Sequence, residues 1–191
     1  MVVLFEGIDT CGKSTQLALL KEKHPEIITT KEPGGTDFGI KAREILLESS
    51  IISKRAELLL FLADRAEHYE EVIQPNQDKL IISDRGFISG ISYALTNGDF
   101  ELEELLMLNR FALQDHLPDK VVLFLTDMQT LQERLGDKSL DGIEQRGLEY
   151  LLNVQEHMKQ TVLELGIPHL FIDATDTIET IHQTILTYLK V

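Results

Sequence analysis

Short apolar runs recur along the chain and alternate with segments in which apolar residues return at helical spacing. Such runs are typical of buried strands. They predict strands at residues 2–5, 27–30, 79–83, 121–125 and 169–172. Helices are predicted from residue 14 and at residues 38–48, 55–73, 87–116, 128–135, 148–165 and 177–189, with a break near Gly98. The alternation predicts an α/β fold in three layers, with a five-stranded parallel sheet covered by helices on both faces.

No internal repeat, linker or low-complexity stretch interrupts this pattern. We therefore expect residues 1–191 to form a single domain. One stretch, at residues 136–143, is polar and contains Gly136 and Gly142. Its composition predicts a short mobile lid between two helices.

The composition narrows the range of partners. The formal charge is −14, which argues against a nucleic acid or an anionic membrane as a partner. A negatively charged substrate then needs a local cluster of arginine and lysine. The longest apolar run, residues 58–63, is too short to span a bilayer, and no signal peptide is recognisable, so a cytoplasmic enzyme is expected. With one cysteine, an internal disulfide is excluded.

Residues 7–14 read Gly-Ile-Asp-Thr-Cys-Gly-Lys-Ser and match the G-x-x-x-x-G-K-[ST] pattern of a phosphate-binding loop, here called the P-loop. The loop follows a predicted strand and opens a predicted helix, as the motif requires. Lys13 is expected to bridge the outer phosphates, and the Ser14 hydroxyl to bind Mg²⁺. The residues expected to bind the nucleotide phosphates are Gly7, Ile8, Asp9, Thr10, Cys11, Gly12, Lys13, Ser14 and Thr15.

Asp84 and Arg85 follow the predicted third strand, at the sheet edge where parallel sheets bind ligands. GTP-hydrolysing switches usually carry an Asn-Lys-x-Asp motif, which this chain lacks. Motor ATPases are longer and usually end a second strand in an acidic pair. A short P-loop protein with a polar lid fits a nucleoside monophosphate kinase. Such enzymes hold two phosphates in line and exclude water.

Four segments together resemble the thymidylate kinase family over nearly the whole chain. They are residues 5–9, 32–36, 63–68 and 84–87, which read Phe-Glu-Gly-Ile-Asp, Glu-Pro-Gly-Gly-Thr, Ala-Asp-Arg-Ala-Glu-His and Asp-Arg-Gly-Phe. The resemblance implies a P-loop NTPase fold and transfer of the γ-phosphoryl group of ATP to dTMP, giving dTDP, with Mg²⁺ as cofactor. Two alternatives stay open: a kinase of another nucleoside monophosphate, and a nucleotide-binding switch with little turnover.

The resemblance also implies roles for residues around the nucleoside of dTMP. Asp9 would accept a hydrogen bond from the 3′-hydroxyl of the deoxyribose, and Phe61 would stack on thymine. Arg65, one helical turn after Phe61, would donate to the acceptor edge of the base. Ser89 and Tyr93 match polar positions near the base and sugar. A plain core position for Phe61 and an exposed ion pair along the helix for Arg65 are the alternatives.

The phosphate and metal positions carry over in the same way. Arg43 and Arg85 would bind the dTMP phosphate, each through two parallel hydrogen bonds (bidentate) where geometry allows. Glu32 and Asp84 would steer Mg²⁺ and its water ligands, with Ser14 and Asp84 as the metal residues. The residues expected to act in catalysis are Lys13, Arg134, Asp84 and Asp9.

Three positions depart from the family pattern. Gly86 stands where the family usually has an aromatic residue, and Ala94 where it often has glutamine. Thr10 stands where some members carry a P-loop arginine, and members without that arginine usually have an arginine-rich lid. We therefore expect Arg134 to stabilise the transferring phosphoryl group, with Lys138 as the second candidate.

Two further expectations come from the residues themselves. The segment 58–62 is apolar on all sides, whereas a surface helix needs one apolar stripe. It predicts a homodimer through this helix. Cys11 lies at a helix N-terminus and two residues from Lys13, so its thiol is expected to face the phosphates and to be alkylated quickly. A thiol turned into the junction between sheet and helix is the alternative.

Overall fold

The computed structural model describes residues 1–48, 51, 53–98, 100–135 and 147–191. The predicted lid at residues 136–143, with Lys138, therefore lies outside the described residues.

Five parallel strands form one sheet in the described part of the chain, in the order β2-β3-β1-β4-β5. The strands are β1 (Val2–Glu6), β2 (Ile28–Lys31), β3 (Ile81–Asp84), β4 (Lys120–Leu125) and β5 (His169–Asp173). The predicted α/β fold with a five-stranded parallel sheet is confirmed, and every strand begins and ends within two residues of its predicted bounds.

The α-helices in the described ranges follow the predicted order. They are α1 (Lys13–Lys23), α2 (Asp37–Glu48), α3 (Lys54–His68), α4 (Phe87–Asn97), α5 (Leu102–Ala112), α6 (Met128–Leu135), α7 (Leu148–Leu165) and α8 (Ile178–Leu189). The segment predicted as one helix at 55–73 is α3 followed by a π-helical turn, Tyr69–Ile73. Gly98 ends α4 with φ 79°, a left-handed conformation that glycine adopts at low cost.

Side chains of β1 alternate between the two faces of the sheet, as the period of two in a strand requires. Leu4 belongs to the apolar core that contains residues of α3, α4, α5 and α7. Val3 and Phe5 belong to the core that contains residues of α1 and α8. Because helices cover both faces, the strands are apolar on both sides. None of the described helices is long and apolar enough to cross a membrane.

The sheet brings the two main motifs together. Phe5 of β1 is paired with Asp84 of β3, and the backbone N–H of Arg85 donates to the Phe5 carbonyl at 2.8 Å. The P-loop, which follows β1, and the Asp84-Arg85 pair therefore leave the sheet side by side. This is the edge at which open parallel sheets bind their ligands.

Candidate active site

The P-loop turns sharply between β1 and α1. Gly7 has φ 144°, and a Cβ atom there would lie 2.7 Å from the carbonyl oxygen of Phe124, so a larger residue does not fit without strain. Lys13 Nζ donates to the carbonyl oxygens of Gly7 and Ile8, both at 2.8 Å. Lys13 is the first residue of α1. Its ammonium group therefore lies across the loop at a helix N-terminus, where such loops bind phosphates.

The P-loop opens into a cleft of about 580 Å³. The residues that line it are Asp9, Thr10, Cys11, Gly12, Lys13, Ser14, Thr15, Lys31, Glu32, Arg43, Asp84, Arg85 and Arg134. Most residues predicted to bind phosphates and metal therefore share one cavity. Its lining holds five lysine and arginine residues against three carboxylates. The cleft is thus locally cationic in an acidic protein, which favours an anionic substrate.

Arg85 connects the P-loop to α4. Its φ is 70°, and a strained backbone at a non-glycine residue is typical of functional sites. Nη1 donates to the Gly7 carbonyl at 2.8 Å and to Ser89 Oγ at 3.1 Å, and Nη2 donates to Asp9 Oδ1 at 2.7 Å. Burial acts to raise the pKa of Asp9, but Arg85 and Lys13 outweigh it and hold the pKa below its ordinary value. An ionised Asp9 therefore faces a fixed guanidinium group.

Asp84 and Ser14 offer oxygen ligands on the same cleft. Oδ1 of Asp84 is buried and makes no hydrogen bond to the described residues. Ser14 is exposed in the P-loop. Carboxylate and hydroxyl oxygens are the ligands that Mg²⁺ prefers in proteins. These two residues therefore fit the predicted metal site.

Arg65 is 2% exposed and is held by residues of two other segments. Its Nε donates to Glu32 Oε2 at 2.8 Å, and its Nη1 donates to Asn109 Oδ1 at 2.6 Å. His68 Nδ1 lies 2.8 Å from the other carboxylate oxygen of Glu32. The alternative of an exposed ion pair along the helix is wrong for Arg65, because its partner is buried and lies after β2.

Glu32 is the centre of this buried cluster. Burial acts to raise its pKa, but the charge of Arg65 and the hydrogen bond with His68 outweigh it and lower the pKa. Both carboxylate oxygens are engaged, one with Arg65 and one with His68. Its role toward Mg²⁺ stays a prediction, and its role as a partner of Arg65 is new.

The other residues predicted for the nucleoside lie on α3 and α4. Phe61 is half-buried, whereas Leu58 and Leu62 of the same helix are buried in the core. The ring of Tyr93 lies 6.4 Å from the ring of Tyr150 on α7. The contacts of these two residues with dTMP stay predictions.

The chain is similar over its whole length to proteins of one family. The family model described as thymidylate kinase matches residues 5–185. The chain is 73% identical over 191 residues to thymidylate kinase of Sulfurovum sp. (strain NBC37-1), and the match covers 100% of both chains. It is 55% identical over 194 residues to thymidylate kinase of Campylobacter concisus (strain 13826), with 100% of this chain and 99% of that one covered.

A solved structure agrees as well. The crystal structure of thymidylate kinase from Ehrlichia chaffeensis matches with a TM-score of 0.78 and 26% identity, covering 100% of this chain and 98% of that one. The chain belongs to the thymidylate kinase family. The predicted family and the predicted P-loop kinase fold are therefore confirmed.

In this member of the thymidylate kinase family, the side chain of Arg134 lies between the P-loop and the loop after β5. Its Nη1 donates to the Thr10 carbonyl of the P-loop at 3.2 Å, and its Nη2 donates to the Ala174 carbonyl after β5. The guanidinium group is thus held at the rim of the phosphate cleft. This position is compatible with the catalytic role predicted for Arg134, which stays a prediction.

The thiol of Cys11 is buried within the P-loop, where Lys13 Nζ donates to its sulfur at 3.5 Å. Its side chain is 1% exposed and belongs to the apolar core that contains Val3, Phe5 and Phe124. This burial favours the alternative of a thiol in the junction between sheet and helix. Rapid alkylation of Cys11 stays a prediction.

Two residues of this thymidylate kinase site were missed in the sequence. Glu6, the last residue of β1, is fully buried and accepts hydrogen bonds from the backbone N–H of Ser89, at 3.3 Å, and from its hydroxyl. Burial raises the pKa of Glu6. Its signal was a charged residue at the end of an apolar strand. Asn109, the partner of Arg65, had no signal, because it lies in the middle of an ordinary amphipathic helix.

Proposed function

We propose that this kinase transfers the γ-phosphoryl group of ATP, bound with Mg²⁺ at the P-loop, to dTMP bound between Arg85 and Arg65. Membership of the thymidylate kinase family makes the phosphorylation of dTMP to dTDP its reaction. The proposal adds the donor, the metal and the role of each residue. It is carried by one observation: the P-loop, Asp84 and the arginines predicted to bind phosphate line the same cleft.

The reaction needs positioning more than covalent chemistry. A phosphate monoester is mostly dianionic at pH 7, because its second pKa is about 6, so dTMP needs no general base to attack. Lys13, Arg85 and Arg43 would neutralise the repulsion between the two phosphates, and Arg134 would contact the transferring group. When bound, Mg²⁺ would supply positive charge that offsets the negative charge of the phosphates. Ser14 and Asp84 would hold it.

The choice of nucleotide tests the base site. We expect kcat/KM for dTMP to exceed that for dUMP by roughly tenfold to a few hundredfold, because one methyl group in an apolar pocket contributes about 1–3 kcal/mol. Discrimination against dCMP is expected to be larger, because Arg65 would meet an amino group where it needs an acceptor. A coupled assay with ATP, Mg²⁺ and each monophosphate measures these ratios. Equal rates with dCMP would remove Arg65 from the base site, and turnover of another monophosphate in preference to dTMP would identify a different acceptor.

We also propose a homodimer formed through α3. Within the segment 58–62, Leu58 and Leu62 are buried, whereas Leu59 is 61% exposed. The neighbouring α5 leaves Met107 and Phe111 63% and 84% exposed. Exposed apolar side chains on packed neighbouring helices are typical of an interface between subunits.

A charged substitution tests the dimer. We expect Leu59→Asp to convert the protein to a monomer in analytical ultracentrifugation, because it places a carboxylate in a desolvated interface. The matched control is Leu163→Asp on α7, since Leu163 is 53% exposed and lies on a helix outside the proposed interface. A wild-type monomer, or the same loss of dimer in both variants, would contradict the proposed interface.

A further inference from the structure

The guanidinium group of Arg65 is fixed from two sides. Glu32, in the loop after β2, accepts from Nε at 2.8 Å, and Asn109, on α5, accepts from Nη1 at 2.6 Å. The two acceptors lie 33 residues before and 44 residues after Arg65 in the chain. With two of its three nitrogens held by separate segments, a planar guanidinium group cannot rotate without breaking a charge-assisted hydrogen bond.

The side-chain amide of Asn109 has a defined orientation. Its Nδ2 donates to the Leu105 carbonyl one turn earlier on α5, at 2.7 Å. Turning the amide over would place an NH₂ group against the Arg65 guanidinium, donor against donor, and would leave a buried carbonyl without its partner. Asn109 is 2% exposed, so water cannot compensate for that loss. The helix therefore presents Asn109 Oδ1 to Arg65 and nothing else.

The third nitrogen of Arg65 lies on the side of α4. Within the described residues, Nη2 makes no hydrogen bond, whereas Nε and Nη1 each make one. A Cβ atom at Gly90 of α4 would lie 3.5 Å from Nη2 and 3.7 Å from Nη1, so the end of the guanidinium group lies against α4 at ordinary contact distance. Gly90 adjoins Ser89, one of the residues predicted for the nucleoside. The available donor of Arg65 thus lies beside the helix that lines the proposed base site.

We propose that Asn109 is a positioning residue that selects which nitrogen of Arg65 reads the base. By holding one N–H of Nη1, it turns Nη2, both of whose N–H groups are without a partner among the described residues, toward the carbonyl oxygen of the pyrimidine ring. The inference rests on the proposed role of Arg65 in binding the base. Asn109 itself touches neither the base nor the reacting phosphates; it acts through Arg65.

The Glu32 side of the cluster explains why Asn109 decides the orientation. Glu32 is itself fixed, because His68 Nδ1 lies 2.8 Å from its second oxygen and His68 Nε2 lies 2.7 Å from Thr30 Oγ1. One anchored hydrogen bond at Nε still allows the guanidinium group to turn about that bond. The second anchor at Nη1 removes the rotation.

Two variants of Asn109 separate positioning from packing. Asn109→Leu keeps a similar volume and removes the acceptor, and we expect the KM for dTMP to rise about tenfold and the preference for dTMP over dCMP to fall about tenfold. The KM for ATP should change by less than about twofold, because the P-loop is untouched. Asn109→Asp keeps an acceptor oxygen toward Arg65 but loses the donor to the Leu105 carbonyl. It should lower Tm while keeping the KM for dTMP and the preference closer to wild-type values than Asn109→Leu does.

The control is Ser92→Ala, which removes another fully buried hydrogen bond, from Ser92 Oγ to the Ile88 carbonyl at 2.7 Å. It should lower Tm without changing the preference for dTMP. Asn109→Leu with wild-type KM and preference would overturn the proposal. Where Asn109→Leu does not fold, Asn109→Ser is measured instead, because its shorter hydroxyl does not reach Arg65, and the same two outcomes apply.

The variant Arg65→Lys tests the role of Arg65 in binding the base separately from the role of Asn109 in positioning Arg65. If Arg65→Lys leaves the preference over dCMP unchanged, Arg65 does not read the base, and both proposals fall. If Arg65→Lys lowers the preference while Asn109→Leu leaves it intact, Arg65 keeps its role and only the positioning role of Asn109 is overturned.

Discussion

Lys13→Ala is expected to lower kcat at least about a thousandfold, because Lys13 provides positive charge where the phosphoryl group is transferred. Nζ lies across the P-loop, 2.8 Å from two carbonyl oxygens, and no other ammonium group can reach that position from the same helix turn. Each hydrogen bond from the charged Lys13 contributes about 1.5–3 kcal/mol, and water in the cleft can replace part of that loss at the freed carbonyl oxygens. The variant should therefore fold, with a lower Tm. Steady-state kinetics and a thermal melt on one preparation test both statements.

Lys21→Ala is the matched control, since Lys21 lies on the same helix and is exposed. It removes an equal charge from α1 and should leave kcat within about twofold of the wild-type value, because exposed charges are screened. A Lys13→Ala enzyme that keeps about a tenth of wild-type activity would exclude Lys13 from transition-state stabilisation.

Arg85→Ala is expected to lower kcat/KM for dTMP at least about a hundredfold, because it removes a partly buried cation that is positioned before substrate arrives. Three acceptors hold the Arg85 guanidinium: the Gly7 carbonyl, Ser89 Oγ and Asp9 Oδ1. The KM for ATP should change much less than the KM for dTMP. Initial rates at varied dTMP and varied ATP separate the two constants.

Arg43→Ala serves as the comparison for Arg85. Arg43 is exposed and, among the residues that the structure describes, makes a single hydrogen bond, to the Pro33 carbonyl at 3.2 Å. The charge of Arg43 is screened by solvent, and its side chain must be ordered when the phosphate binds. We therefore expect Arg43→Ala to lower kcat/KM for dTMP by a factor about tenfold smaller than Arg85→Ala does. Equal losses in the two variants would contradict the argument from burial, and an unaffected Arg85→Ala enzyme would remove Arg85 from the dTMP site.

Local patterns in the sequence predicted the fold and the part of the site proposed to bind ATP. The order of strands and helices followed from apolar periodicity, because each element buries its apolar positions at its own spacing. The P-loop is contiguous, so the backbone conformation that binds phosphate is encoded within eight neighbouring residues, 7–14. Even the position of Asp84-Arg85 beside that loop followed from the rule that parallel strands end at one edge.

The part of the site proposed to bind dTMP depends on contacts between segments that are distant in the sequence. The sequence placed Arg65 on a helix but could not show that Glu32 and Asn109 hold it, because those contacts exist only once α3, α5 and the loop after β2 are packed together. The outward direction of Leu59 within an all-apolar segment was decided in the same way, by which side of α3 packs against α2, α4 and α5.

The sequence alone determined what kind of chemistry the chain performs, since a contiguous loop and a few short motifs carry it. The tertiary structure decided how individual side chains are directed. Cys11 and Lys13 show this difference within one loop: two residues apart, one enters the apolar core and the other lies across the phosphate cleft. Their side chains still meet, because Lys13 Nζ donates to Cys11 Sγ at 3.5 Å. How deeply each side chain is buried depends on how the sheet and α1 pack around the P-loop, which the local sequence does not specify.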